Sequence, residues 1–566
     1  MRKYVDNGPM LNAYPDSMGG TLSDIAGLLE REEMKDVFQS FYILPSVYNS
    51  DLDRGFSVID YGINELLASR EDLCRLERLG LDLKLDFVLN HASVLSLQFQ
   101  DLLQKGGNSV YKDFFIDWNR FWEGCGEMTE DGYMQPYPQL IENMFFRKEG
   151  LPILMVRMPD GKKVPYWNTF YQEIRYPRIE EQELMRALNL QYPVAAALAD
   201  LLNGAIEKGE KPSETAFGRL EEYKQRAVDF LESKRTYLGQ MDLNIKSPLV
   251  WEYYGDTLKT LAGYGAKIVR LDAFAYASKE PGEKNFLNDP GTWTLLEGIK
   301  KLASPWNLTL LPEIHAGYEE KIYQLVAQKG YMVYDFFLPG LIIDALEEKN
   351  GESLAGWALE LYEKRIRTVN MLGCHDGIPL LDLKGLIPQE RIERLIETVV
   401  KRGGFVKNLH GQKNAYYQVN AAYYSALGED ENRLLLARAL QLFMPGKPQI
   451  WYLDLFLGTN DYEAMEKAGP GGHKEINRTN LTKEQIRERM GHWAVRQQLS
   501  MLRFRNTFPA FGFDGKLELH QKGSRLRFVW RREGYQALLD AQLDTCQFAM
   551  KGLDGQGREV WSMGNL

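Results

Sequence analysis

The sequence predicts an α/β protein built on a (β/α)8 barrel, and three observations predict it. Short apolar runs alternate with stretches of helical periodicity, the pattern of parallel strands joined by helical crossovers. The number of such repeats in one chain favours a closed barrel over an open sheet. Four of the runs finish in a carboxylate, a histidine or an arginine, and barrels keep their chemistry at the C-terminal ends of their strands.

Taken in order, "FQSFYILP" (38–45) reads as a strand and "EDLCRLERLG" (71–80) as a helix stopped at glycine. "LDLKLDFVLNH" (81–91) is the next strand. The long stretch "SPLVWEYYGDTLKTLAGYG" (247–265) is a helix ending at glycine. "AKIVRLD" (266–272) is a strand, "TWTLLEGIKKLA" (292–303) a helix and "LTLLPEIH" (308–315) a strand. "EEKIYQLVAQKG" (319–330) and "MVYDFFLP" (332–339) repeat the helix–strand alternation, and "MLGCHDG" (371–377) ends another strand.

Two regions break the rhythm. Residues 92–244 are long and irregular, and within them about 178–236 is charged, with the pattern of an inserted helical hairpin. From about 509 the chain turns to short alternating strands, "KLELHQ", "RLRFVWRR" and "YQALLDAQ", which read as a small antiparallel domain. The expected division is barrel over 1–91, an inserted subdomain over 92–244 and barrel over 245–377. A loop-built subdomain over 378–424, barrel over 425–508 and a β domain over 509–566 complete it.

Composition narrows the class. The chain has 566 residues with a formal net charge of −10, which disfavours nucleic acid and anionic membranes as partners. Cys74, Cys125, Cys374 and Cys546 are far apart and show no metal spacing, as expected of free thiols in a reducing compartment. The start, "MRKYVDNGPM", has no apolar signal region, and the run "YPVAAALADLL" is too short to span a bilayer and is broken by Asp200. The expectation is a cytoplasmic enzyme.

The chemistry lies in the strand ends. "LDFVLNH" ends with Asp86, Asn90 and His91, and "IVRLDAF" with Arg270 and Asp272. "LLPEIH" ends with Glu313 and His315, and "MLGCHDG" with His375 and Asp376. A buried carboxylate is costly unless partnered, so a purely structural role would require a separate salt bridge or cap at every one of these ends. Two close carboxylates can run a retaining glycosidic reaction, one as nucleophile and one as acid/base. Arg270, two residues before Asp272 on the same strand face, would keep that aspartate ionised.

The ordered stretches "DFVLNH", "VRLDAFAY", "PEIH" and "CHDG" resemble the four signature regions of the α-amylase superfamily, glycoside hydrolase family 13. The resemblance implies Asp272 as nucleophile, Glu313 as acid/base and Asp376 as transition-state stabiliser, with His91 and His375 on glucose hydroxyls. "DRGFSVIDY" (53–61), "YKDFFIDWNRFW" (111–122), "WNTF" (167–170), "YQVNAAYYSALG" (417–428) and "NDYEAMEKAGPGGHKEINR" (460–478) are similar to the sucrose phosphorylase branch. That resemblance covers nearly the whole chain except 178–236 and the last 50 or so residues. It implies that 92–244 is a B-type and 378–424 a B′-type subdomain. It also implies that Asp53 and Arg478 pin the glucose, that Phe56 and Phe170 form an apolar gate, and that Arg270 and His315 join the sugar-binding set. Water exclusion by such a gate would favour phosphate in the second step.

The acceptor side is expected in "MFFRKEGLP" (144–152) and "GIPLLDLKGL" (377–386), with Phe145, Arg147, Lys148, Pro379 and Lys384 as candidate phosphate or acceptor ligands. Phe145 stands where the branch usually has tyrosine, and Pro379 departs from its "HDGIG". Extra cations, among them His473 and Lys474, suit a phosphorylated or carboxylated acceptor. Asn90 aligns with a calcium ligand of many amylases, but its partners have no match, so neither metal nor cofactor is expected. His492 and His520 have no neighbours at ligand spacing, and His410 sits in a loop.

The first expectation is phosphorolysis of sucrose to α-glucose 1-phosphate and fructose, by a monomer or homodimer whose partners are a sugar and inorganic phosphate. The alternatives are the same reaction on sucrose 6′-phosphate, glucosylglycerate or glucosylglycerol, then an α-glucosidase or transglucosylase. A non-catalytic barrel is disfavoured, because all three carboxylates are present and a membrane segment is not.

Overall fold

The computed structural model describes residues 6–147, 150–408, 416–469 and 472–565. Eight parallel strands form one sheet: β1 (Met10–Ala13), β2 (Ser40–Ile43), β3 (Asp82–Val88), β4 (Ala266–Asp272), β5 (Thr309–Pro312), β6 (Val333–Asp335), β7 (Thr368–Met371) and β8 (Lys447–Trp451). Their order, β5-β4-β3-β2-β1-β8-β7-β6, is the chain order wrapped into a ring with its seam between β5 and β6. This is the near-closed (β/α)8 barrel that the strand–helix alternation predicts. The crossover helices include Arg70–Arg78, Pro248–Gly263, Gly291–Ala303 and Ile322–Gln328.

The sequence reading misses β1 and β8, which are four and five residues long. It also carries β7 too far: the strand stops at Met371, and His375 and Asp376 sit in the loop beyond it. The β4 strand matches "AKIVRLD" residue for residue.

Register places the chemistry. Arg270 pairs with Asp86 across β4–β3 and with Leu311 across β4–β5. Parallel strands in register put the residues that follow them on one rim, so Asp272, Glu313 and the loop after β7 converge.

Residues 178–236 form three helices rather than the two of a hairpin: Glu181–Leu188, Tyr192–Glu207 and Lys224–Ser233. They bury an apolar cluster of their own that includes Leu184, Leu198, Leu202 and Leu231. The strands on either side, Gln172–Arg175 and Thr236–Asp242, pair antiparallel, with Arg175 opposite Thr236. Both ends of the insertion therefore meet at one strand pair. The same Thr236–Asp242 strand pairs with His91–Ser93, setting Asp242 opposite His91.

The C-terminal region is a five-stranded antiparallel meander from Lys516–Lys522 to Glu559–Gly564. Trp530 Nε1 ties it to the barrel by donating to the Phe443 carbonyl at 2.9 Å. The four cysteines are unbonded, and among the described residues no helix is long and apolar enough to cross a membrane.

Candidate active site

Arg270 is the hub of the rim. It is 3% exposed, and its Nη1 donates to Asp86 and, at 2.7 Å, to Asp272 Oδ1. Its Nη2 lies 2.9 Å from Glu313 Oε1. One guanidinium thus serves three carboxylates, two within adjacent strands β3 and β4 and one directly after β5. The sequence reading gave Arg270 to Asp272 alone, and the structure corrects this. Burial pushes the Asp272 carboxyl up to about 7; Arg270 pulls it down, while the charge of Glu313 adds to the rise. Glu313 is held down to about 2, because Arg270 and His315 together outweigh its burial.

Beneath the hub, Lys84 is fully buried in the barrel. Its ammonium donates to Gln449 Oε1 at 2.8 Å and to the Tyr334 hydroxyl, and sits 3.8 Å from the Tyr42 ring centre. Burial holds its pKa well below the ordinary lysine range, and the nearby Arg270 charge adds to this.

A second carboxylate group stands opposite. Asp376 Oδ1 accepts from Lys474 Nζ at 2.7 Å, and its Oδ2 lies 3.2 Å from His375 Nε2. Arg478 Nη1 lies 3.4 Å from Asp53 Oδ1 and 3.2 Å from Glu475, while its Nε donates to the His375 carbonyl at 2.8 Å. Burial works against the charged form of Asp376, but His375, Lys474 and Arg478 keep its carboxyl well below the usual range. The sequence reading offered Lys474 as an acceptor cation; the structure sets it on Asp376 instead.

The backbone here is bent where side chains must be aimed. Asp53 and Arg54 both have left-handed φ, 47° and 46°, and Ala273, directly after Asp272, has φ 51°. Such conformations cost energy in residues with a Cβ and collect at functional sites. Gly55 follows at φ 114°, and a Cβ there would lie 2.1 Å from the Ser46 nitrogen, so only glycine fits.

Aromatic rings wall the cleft. Phe56 stacks on His375 with centres 5.1 Å apart and planes 12° from parallel. Phe170 leans on His91 at 4.9 Å and meets Tyr276 edge-on at 5.3 Å. His91 Nε2 lies 3.1 Å from the Phe56 carbonyl oxygen, and burial pushes its pKa down to about 4. Behind this wall Lys279 is buried between Asp242 Oδ2 (2.8 Å) and Asn90 Oδ1 (2.9 Å). An ammonium therefore occupies the space beside the Asn90 oxygen.

The acceptor-side residues separate. The Arg147 guanidinium lies 5.0 Å from the Phe170 ring centre and donates to the Tyr276 hydroxyl at 3.0 Å, so it borders the same wall. Pro379 is buried in the loop after β7. The backbone of Phe145 is fixed by Asn285 on both its nitrogen and its carbonyl, and the residue is 43% exposed. Lys384 departs from expectation: its side chain is 63% exposed and pairs with Glu319 at 2.9 Å on the surface. Lys148 and His410 lie outside the described residues. The loop also brings in a residue the sequence reading overlooked, Asp382, whose Oδ2 is 3.6 Å from His315 Nδ1.

A parallel eight-stranded barrel with three carboxylates and a shared arginine on its C-terminal rim defines a carbohydrate-active barrel of the α-amylase type. No family model matches the chain. A sucrose 6(F)-phosphate phosphorylase of Ilumatobacter coccineus is 48% identical over 560 residues, covering 97% of this chain and 96% of the relative. The crystal structure of sucrose 6F-phosphate phosphorylase from Thermoanaerobacter thermosaccharolyticum superposes with a TM-score of 0.80 at 30% identity, over 99% of this chain and 98% of that one. An α-amylase from H. orenii shares the fold, with a TM-score of 0.59 at 15% identity, over 96% of this chain and 90% of that one. The chain belongs to the sucrose phosphorylase branch of the α-amylase superfamily, glycoside hydrolase family 13, and is a glycoside phosphorylase of that type.

Proposed function

We propose that the protein is a retaining phosphorylase that transfers the glucosyl group of sucrose 6′-phosphate to inorganic phosphate, releasing α-D-glucose 1-phosphate and fructose 6-phosphate. The sequence alone put sucrose first. The 48% identity to a sucrose 6(F)-phosphate phosphorylase over almost the full length moves the weight to the phosphorylated sugar. Arg147, stacked at the cleft wall, is a cation suited to a phosphate there.

Two carboxylates that share one guanidinium stand close together, and retaining enzymes hold theirs about 5 Å apart, nearer than inverting ones. Asp272 attacks the anomeric carbon and forms the glucosyl ester. Glu313 protonates the departing oxygen, and phosphate then displaces Asp272. Asp376, with Lys474 and His375 upon it, holds sugar hydroxyls as the ring flattens. Asp53 and Arg478 fix the far end of the glucose, and His91 lies on its flank. Phe56 and Phe170 keep water from the ester. The single observation that carries the chemistry is Arg270 bonded at once to Asp272 and Glu313.

The test is glucose 1-phosphate release from sucrose 6′-phosphate and from sucrose, each with and without phosphate. Phosphate-dependent product with a strong preference for the phosphorylated donor is expected. A preference for sucrose returns the reading to the simpler substrate, and free glucose at an equal rate without phosphate makes the enzyme a hydrolase. Arg147→Ala should raise KM for sucrose 6′-phosphate about tenfold or more, the effect of losing a charge-assisted contact. An unchanged KM places Arg147 outside the acceptor site.

A further inference from the structure

Glu313, in the role proposed above, must carry a proton when the leaving oxygen departs, yet its surroundings hold it ionised. Arg270 Nη2 at 2.9 Å and His315 Nε2 at 3.1 Å both face its Oε1. Of these two, only an imidazolium can hand over a proton, since guanidinium does not deprotonate in proteins. The His315 ring is fixed in place by stacking on Phe336, with centres 3.9 Å apart and planes 21° from parallel. Its other nitrogen, Nδ1, lies 3.6 Å from Asp382 Oδ2.

The groups around the ring come from four elements. Glu313 follows β5, Asp382 lies in the loop after β7, and Phe336 follows β6. Arg270 of β4 and Asp376 act on Glu313, and Glu320 acts on Asp382. Against the effect of burial, the two carboxylates raise the imidazole to about 9, so the ring is charged at neutral pH.

We infer that His315, held between Glu313 and Asp382, stores the proton that arms Glu313 and recovers it in the second half-reaction. The proton passes from His315 Nε2 to Glu313 Oε1 as the sugar seats. Glu313 gives it to the glycosidic oxygen while the bond from C1 to that oxygen breaks and a bond from C1 to Asp272 forms. Hydrogen phosphate then attacks C1 through an anionic oxygen, the ester bond returns its electron pair to Asp272, and the remaining phosphate proton goes to Glu313 and on to His315. The same transfer prepares the nucleophile, because the Glu313 charge is one of the causes that raise Asp272. This inference rests on Glu313 being the acid/base.

The test uses His315→Gln and Asp382→Asn in the full chain, with Glu313→Gln alongside. Donors are sucrose 6′-phosphate, whose leaving group needs a proton, and α-D-glucosyl fluoride, whose leaving group does not. His315→Gln should lose about a hundredfold or more in kcat/KM on the sugar, the scale of general acid catalysis, and only a few-fold on the fluoride. Its alkaline limb on the sugar should move to lower pH by about one unit or more, and Asp382→Asn should move the limb the same way. Equal losses on both donors in His315→Gln, with fluoride spared in Glu313→Gln, overturn the proton store but keep the acid/base. Equal losses on both donors in Glu313→Gln overturn both. An unmoved alkaline limb in either the His315 or the Asp382 variant also overturns the store.

Discussion

At the scale of single residues, charge around Arg270 decides the chemistry. Three carboxylates divide one guanidinium, and Glu313 has His315 beside it as well. Asp272→Asn should abolish turnover while leaving donor binding nearly unchanged, since the amide keeps the shape and loses the nucleophile. Residual activity within about tenfold of wild type, roughly 1.4 kcal/mol in the barrier, would remove Asp272 from that role. The identity of the charged residues was legible in the sequence, because polar groups ending apolar runs need a reason. Of their partnerships, only that of Arg270 with Asp272 was. Asp86, Asp272 and Glu313 meet only through the register of three strands, and no local pattern encodes that register. The pairing of Lys474 with Asp376 and the presence of Asp382 beside His315 were hidden for a similar reason: each sits in a loop whose path is set by tertiary contacts.

At the scale of elements, long and strongly periodic segments were read well and short ones unevenly. The β4 strand and the helix at Pro248–Gly263 carry enough residues for their period to show. The β1 and β8 strands were missed, although β2, β5 and β6 are no longer and were read. The turn Asp53–Gly55 shows how much an element can demand of one residue. Gly55→Ala would drive a Cβ into the Pro45–Ser46 backbone at positive φ, costing about 2 kcal/mol or more and displacing Asp53. A lowered melting temperature and a raised donor KM are the expected pair of results; an unchanged KM would dissociate Asp53 from the sugar. The inserted helices make a different demand. They bury their own apolar cluster, and their ends meet at the Arg175–Thr236 pair. Replacing 176–235 with a two-residue Asn-Gly turn should leave a folded barrel, because that turn suits an antiparallel pair. Circular dichroism and a melting curve within about 5 °C of wild type are expected; collapse of the barrel signal would show that the helices support it.

At the scale of the whole molecule, burial of a neutral histidine weakens the protein in mild acid. His91 has a folded pKa of about 4 against an ordinary 6.5. The unfolded chain therefore takes up a proton first as pH falls, and stability rises with pH across that window, complete above about 6.5 and lost towards 4. The His91 share is about 3 kcal/mol. Denaturant unfolding at pH 7 and at pH 4.5 should show a smaller acid loss in His91→Gln than in wild type; equal losses would assign the acid limit to other groups. The barrel itself was legible because its parallel strands repeat one unit many times. The insertion was not, beyond its helical character, since nothing in an isolated helical pattern says how many helices pack or onto what. The adjacency of its two ends has a practical meaning. A second protein whose own termini lie close together could be spliced in at Arg175 and Thr236, turning the enzyme into a carrier for a reporter without a break in any barrel strand.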